Sequence, residues 1–331
     1  KCWAKYRVWV VEVEKDNDLI RTALDLVQNG QDFALAIVAE TWGSSPRQVG
    51  SFMLISQDGH IAGSVSGGCV EADVIMEAHE VMNNGVSKVL KFGVSDETAW
   101  VSGLSCGGTI KVFICSKKNI QKDLFSRIQR TEQTKKNISL VCNLDTGEVG
   151  ETTSIVDNLT HKNVTTNLIF ITLLPKPRLF IVGAVQIAQH LLSMANEAGF
   201  DFIIIDPRGQ FASEKRFPNA KIHIEWPDEA LEKYSVTSND ALVTLTHDSK
   251  IDEAALGLAL RLPFYCISSL GSNRTNTKRI KRLQKQGFTE VELARINAPA
   301  GLNIGAKTPA EIAISILAQL IERKRTIKIA K

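Results

Sequence analysis

Two cysteines stand in glycine-rich turns where a thiol can do chemistry. Cys69 lies in Ser64-Val65-Ser66-Gly67-Gly68-Cys69-Val70-Glu71, and Cys106 in Ser105-Cys106-Gly107-Gly108. Val70, Val74, Ile75, Ala78, Val81 and Met82 have helical spacing, which puts Cys69 at or next to a helix N-terminus. Unsatisfied backbone N–H groups and the helix dipole favour an anion there. A thiolate is stabilised at such a place, so Cys69 is a candidate nucleophile or ligand for a soft metal. An inert buried thiol is the alternative for either cysteine taken alone; two such turns in one domain tip the balance toward chemistry. Cys115, Cys142 and Cys266 sit in apolar strands and read as core.

A second group of residues has a different logic. Gly183-Ala184-Val185-Gln186-Ile187-Ala188 follows a predicted strand and opens a helix, and Asp206 ends the next strand, 23 residues beyond Gly183. That is the layout of a dinucleotide-binding fold. Val185, however, stands where a glycine lets backbone approach a pyrophosphate. The scaffold is therefore expected, with bound NAD(P) or FAD disfavoured. Asp206-Pro207-Arg208, Thr246-His247-Asp248 and Leu270-Gly271-Ser272 follow successive strands. In an open α/β sheet such carboxyl ends converge on a ligand crevice. Arg208, His247, Asp248 and Gly271 are thus candidates for holding an anionic ligand; the alternative is that Asp206 and Arg208 only cap loops. The helix containing Lys278, Arg279, Lys281, Arg282 and Lys285 reads as a solvated basic face, with docking of an acidic partner as the alternative.

The elements that must position these residues fall into two rhythms. Residues 18–29 predict a helix, 33–40 a strand, and Asp58-Gly59 a hairpin turn between two strands. Strands at 86–92 and 109–115 follow, then a polar helix over 119–136 and hairpins over 137–174 that bridge two domains. Pro175-Lys176-Pro177 marks the boundary. Beyond it, strands alternate with helices, which implies a parallel sheet with right-handed crossovers. The last helix opens with a capping box, Thr308-Pro309-Ala310-Glu311. The fold class expected is α/β: an N-terminal α+β domain (residues 1–176), then a C-terminal Rossmann-like doubly wound parallel sheet (177–331).

Composition narrows the function classes. A chain of 331 residues with 44% hydrophobic and 23% charged residues is an ordinary globular protein of about two domains. Residues 1–176 carry 18 basic and 20 acidic side chains, and the remainder 21 and 16. The second part can attract a small anion but is too weakly basic to suggest nucleic acid. No apolar run is long enough to span a membrane. Six cysteines without a CxxC pair fit no disulfide scaffold or zinc site. With no signal-peptide pattern, a cytoplasmic protein with reduced thiols is expected.

Taken together, the motifs resemble the XdhC/CoxI family of molybdenum-hydroxylase accessory proteins. The resemblance rests on Gly43-Ser44-Ser45-Pro46-Arg47, the stretch Gly63 to Glu71, Ser105-Cys106-Gly107-Gly108, the three loops of the second domain, and the tail Gly301 to Ala313. It departs at Val185, usually glycine, and at Ala300, where a proline-isoleucine-glycine-leucine pattern is usual. It implies binding of the molybdenum cofactor (molybdopterin), support of its sulfuration, and delivery to a xanthine dehydrogenase-type molybdenum hydroxylase. It also implies a homodimer, a cysteine desulfurase partner, and a cofactor chaperone more than an enzyme. On this resemblance Cys69 and Cys106 face the metal or its sulfur, Arg47 holds an anionic part of the cofactor, and Glu71 hydrogen-bonds nearby. A crevice between the domains is the expected place. Two other readings remain: an NAD(P)-dependent oxidoreductase using Gly183 and Asp206, and a cysteine hydrolase using Cys69, for which neither His60 nor His79 has a motif.

Overall fold

The structure is a computed structural model and describes residues 8–14, 16–43, 47–93, 108–153 and 167–329. The chain divides into two compact units, Lys1–Pro175 and Lys176–Lys331.

The first unit runs β1 (Val8–Glu14), α1 (Asn17–Gln28), β2 (Phe33–Trp42), β3 (Phe52–Ser56), β4 (Ile61–Gly63), α2 (Glu71–Asn84), β5 (Lys88–Gly93), β6 (Thr109–Ser116), α3 (Leu124–Gln133), β7 (Ile138–Asn143), β8 (Val149–Thr152) and β9 (Leu168–Leu174). A five-stranded antiparallel sheet has the order β4-β3-β2-β6-β5. Its central strand, β2, is apolar along most of its length because both faces are covered. Phe33, Leu35 and Ile37 point into one core with α1 and α3, while Ala34, Ala36 and Val38 point into another with α2. The small alanines bring α2 close; the large side chains fill the wider gap on the other face. A second sheet, β1-β9-β7-β8, closes the first of these cores.

One expectation changes here. The polar helix starts at Leu124, not at 119, because Lys117–Asn119 form a 3-10 turn closed by Ser116 and Asn119. In the predicted hairpin region, β7 pairs antiparallel with β8 and with β9. They build a sheet with β1, whose residues Val8 to Glu14 pair with Leu168 to Leu174 in parallel. That pairing joins strands more than 150 residues apart, which local patterning cannot show.

The second unit runs β10 (Arg178–Val182), α4 (Gln186–Glu197), β11 (Asp201–Ile205), β12 (Lys221–His223), α5 (Pro227–Glu232), β13 (Ala241–Thr244), α6 (Ser249–Ala259), β14 (Cys266–Ser269), α7 (Asn273–Lys285), α8 (Glu290–Leu293), β15 (Ile296–Asn297) and α9 (Pro309–Ile329). All six strands are parallel, in the order β12-β11-β10-β13-β14-β15. Counted from β10 this is 3-2-1-4-5-6, the doubly wound Rossmann order, with its switch point between β10 and β13. Leu179 and Ile181 face a core built with α4 and α9; Phe180 and Val182 face one built with α5 to α7. At the start of α9, Glu311 accepts from the backbone N–H of Lys307 (2.7 Å) and Thr308 (3.0 Å), as a capping box requires.

Gly63 closes β4 and aims the chain into the Ser64–Val70 turn. Its φ is +79°, and a Cβ there would lie 2.4 Å from the Phe52 carbonyl oxygen. Gly63→Ala should cost about 2–4 kcal/mol through strain and collision with backbone, read as a lower urea midpoint at unchanged slope.

Candidate functional site

The described candidate residues of the first unit lie in connections of the five-stranded sheet. β2 ends at Trp42, opposite Thr109 at the start of β6, and β5 ends at Gly93, opposite the same Thr109. Gly63 lies opposite Met53, which pairs with Ala36 in the middle of β2, so the Ser64–Val70 turn leaves β4 from that level and heads away from Phe33. Arg47 stands exposed in the connection from β2 to β3. Cys106 precedes β6 and lies outside the described residues, as do Ser44, Ser45 and Pro46.

The turn into α2 is organised by Glu71. One carboxylate oxygen accepts from Ser64 Oγ (2.7 Å) and from the N–H of Ser66 and Gly67 (2.9 Å each). The other accepts from Ser66 Oγ and from the N–H of Gly68 (2.8 Å) and Val70 (3.2 Å). The amides of Gly67 and Gly68, expected to meet an anion from outside, are therefore taken by the protein's own acid. The helix needs no side-chain cap from Val70, because Glu71 has replaced it. Desolvation pushes the Glu71 carboxyl up. The hydrogen bonds from Ser66 and Ser64 and from the amides outweigh it and hold the group down at about 2. Cys69 is a free thiol, half-buried against the core that α2 shares with the sheet; its N–H donates to Ser66 Oγ at 3.0 Å. It sits one residue before the cap position, at the predicted helix start.

In the second unit the candidates lie at the carboxyl ends of the strands. Gly183 leaves β10 with φ +112°, and a Cβ would meet Thr246 Cγ2 at 2.8 Å and Thr246 N at 3.0 Å, so only glycine lets the loops after β10 and β13 pass. Asp206 is fully buried at the end of β11. Its Oδ1 accepts from Arg208 N (3.0 Å) and Nε (2.8 Å), and its Oδ2 from Ala184 N (2.9 Å) and Arg208 Nη2 (2.8 Å). Desolvation pushes this carboxyl up, and the Arg208 and Ala184 bonds bring it below its ordinary value. Fully buried and met by four of the protein's own donors, Asp206 ties β11 to the glycine turn and presents no surface to a ribose hydroxyl. Arg208 lies over the Phe211 ring, 4.6 Å from its centroid. His247 is exposed with φ +60°, and Asp248 caps α6 by accepting from Lys250 N at 2.9 Å. Gly271 follows β14 against Thr275. Among the described residues no group of three metal-ligating side chains is formed.

Comparison with known proteins places this geometry. The model described as the XdhC Rossmann domain matches residues 179–320, and that described as the XdhC and CoxI family matches residues 26–93. The chain belongs to the XdhC and CoxI family. It is 26% identical to a probable xanthine dehydrogenase subunit of Bacillus subtilis, over 93% of this chain and 98% of that one. It is 28% identical to the molybdenum cofactor insertion chaperone PaoD of Escherichia coli, over 91% and 86%. A crystal structure of a xanthine dehydrogenase from Bacillus halodurans matches with TM-score 0.76 at 27% identity, over 93% and 96%.

Three features of this XdhC-family chain escape a sequence reading. Trp42 is 72% exposed at the end of β2, where the chain enters the connection that carries Arg47. Its position next to Gly43 is the only signal. Asp252 and Arg279 form a buried pair (3.8 Å) beneath the loops after β13 and β14. Asp252 Oδ1 accepts from Thr246 Oγ1 at 2.7 Å, and Arg279 Nη2 donates to the Leu270 carbonyl at 2.9 Å. Burial pushes Asp252 up and Arg279 down. Lys278, Lys281, Arg282 and Lys285 of the basic helix are exposed, as a solvated face requires, and Arg282 pairs with Glu253; Arg279 alone departs from that reading and faces inward.

Two outcomes follow from these bonds. Because the folded pKa of Glu71 is depressed, its stabilisation is full above the ordinary value of 4.5 and lost as pH falls toward 2. Glu71→Gln should lower stability by about 1–2 kcal/mol at pH 7, a figure reduced for partial solvent exposure. The gap between parent and variant should close in denaturant titrations between pH 4.5 and 2. Arg279→Ala leaves Asp252 buried without its partner and should cost about 3–5 kcal/mol, whereas Arg279→Met with Asp252→Leu should recover most of that in the same assay.

Proposed function

We propose that this chain is a molybdenum cofactor carrier: it binds the cofactor, shields it, supports its sulfuration and passes it to a xanthine dehydrogenase-type molybdenum hydroxylase. The observation that carries the reading is the ordered turn into α2, where Glu71 holds the backbone around Cys69, together with Arg47 exposed in the connection after β2. The similarity to an insertion chaperone along nearly the whole chain supports the same reading.

The side chains suit such a cargo. Cys69 offers a soft sulfur on a turn that Glu71 already holds rigid, so little ordering is lost when a ligand arrives. Arg47 offers a fork for the phosphate of the pterin. Cys106 is the second thiol of the proposal. When bound, the cofactor supplies the molybdenum that a thiolate approaches. The buried Asp206 and the bulk of Val185 weigh against a dinucleotide oxidoreductase. In this proposal Arg208, His247, Asp248 and Gly271 border a separate anion contact within the second unit. The protein works as a homodimer in the cytoplasm, beside a cysteine desulfurase that supplies sulfur.

The test is retention of cofactor released anaerobically from a donor enzyme, with pterin quantified by fluorescence after oxidation. The parent should keep close to one cofactor per chain. Cys69→Ala and Cys106→Ala should each retain at least tenfold less. Folded parent protein that retains none overturns the carrier role; both variants binding like the parent overturns the two-thiol site.

A further inference from the structure

The Phe33 end of β2 carries a cleft with different chemistry. It encloses about 870 Å³ of open space, solvent mouth included. Leu24 and Val27 of α1, Phe33 at the start of β2, and Ile120, Leu124 and Phe125 form its apolar walls. The cleft lies at the Phe33 end of β2, whereas β4 runs away from that end into the Ser64–Val70 turn that carries Cys69.

Three lysines stand at the cleft. Lys117 Nζ donates to the Gln31 carbonyl at 2.8 Å and lies 6.0 Å from the Phe33 ring centroid, which fixes a cation over the apolar wall. Lys118 and Lys122 have no hydrogen-bond or ion-pair partner among the described residues. Asp32 and Asp123 also line the cleft, which leaves a net positive mouth. Asp123 gives no side-chain cap to α3, so the first-turn N–H groups of that helix add to the positive potential.

Leu124 and Phe125 are shared with a second, smaller cavity deeper in the core. Leu19, Ile20, Leu35, Ile128 and Leu140 line it, and Asp16 is its one charged neighbour. Within the cleft itself, apolar walls beside a positive mouth suit an apolar chain with an anionic end.

We infer that this cleft binds a free medium-chain aliphatic carboxylate, with its head on Lys118 and Lys122 and its tail along Phe33 and Phe125. The site is separate from the proposed cofactor site and stands whether or not that site binds cofactor.

Isothermal titration of the full chain with sodium octanoate tests it, with octan-1-ol and acetate as controls. Octanoate should bind saturably at one site per chain. Octan-1-ol, which lacks the charge, and acetate, which lacks the tail, should bind at least tenfold more weakly. Lys118→Glu with Lys122→Glu should weaken octanoate at least tenfold and leave the thermal midpoint without ligand unchanged. Absence of saturable octanoate binding overturns the proposal. So does equal affinity for octan-1-ol, or undiminished octanoate binding by the double variant.

Discussion

Both carboxylate oxygens of Glu71 are bound by the turn that leads into its own helix, and the candidate site of the first unit depends on that bond set. A run of backbone N–H groups at a helix start is a concavity that attracts an anion. Here the anion is supplied by the first residue of the helix itself. The turn is consequently ordered before any ligand arrives, and the Cys69 thiol is held where a flexible glycine turn would leave it free to wander. The second unit repeats the device with other parts. Asp206 reaches from the end of β11 to the Ala184 amide and closes on Arg208. In both units an acid that looks available for a ligand is an internal tie.

Recognition at these places is constrained accordingly. With the amides of the Ser64–Val70 turn already satisfied, any ligand at that turn must be recognised mainly by side chains. On the connections of this sheet these include the Cys69 thiol and the exposed Arg47, with the exposed Trp42 at the end of β2. In the second unit, the guanidinium of Arg208 is fixed by Asp206 on one edge and by Phe211 on its face. The Rossmann order survives there, while two of the features by which such a sheet grips a dinucleotide have changed: a valine replaces a glycine, and the acidic residue is buried. A shared fold therefore says little about a shared ligand.

Packing explains why these ties can be so well placed. The alternation of alanine with larger residues along β2 sets α2 close to one face of the sheet, and with it the start of α2 and Glu71. Beneath the switch point of the second unit, the buried Asp252–Arg279 pair has a similar role. It connects α6 to α7 and, through Thr246 and Leu270, to the loops after β13 and β14. Charges taken out of water in this way stabilise little by themselves, but they penalise any arrangement that separates them.

Much of the fold is legible in the sequence because it is written in local patterns. The helices at 17–28 and 71–84, the hairpin at Asp58-Gly59, the strand–helix alternation after Pro177 and the capping box at Thr308 all depend on neighbours within a few residues. So does the placement of Cys69 at a helix start, and the motifs that carry the family resemblance. What the chain's order cannot show is who meets whom across long separations. The pairing of β1 with β9, the inward turn of Arg279 toward Asp252, and the exposure of Trp42 are decided by which surfaces pack together. The roles of Glu71 and Asp206 fall in the same class. The order of residues determines that a carboxylate is present at each position. Only the folded chain, by bringing six donors to one and four to the other, decides that each answers its own backbone.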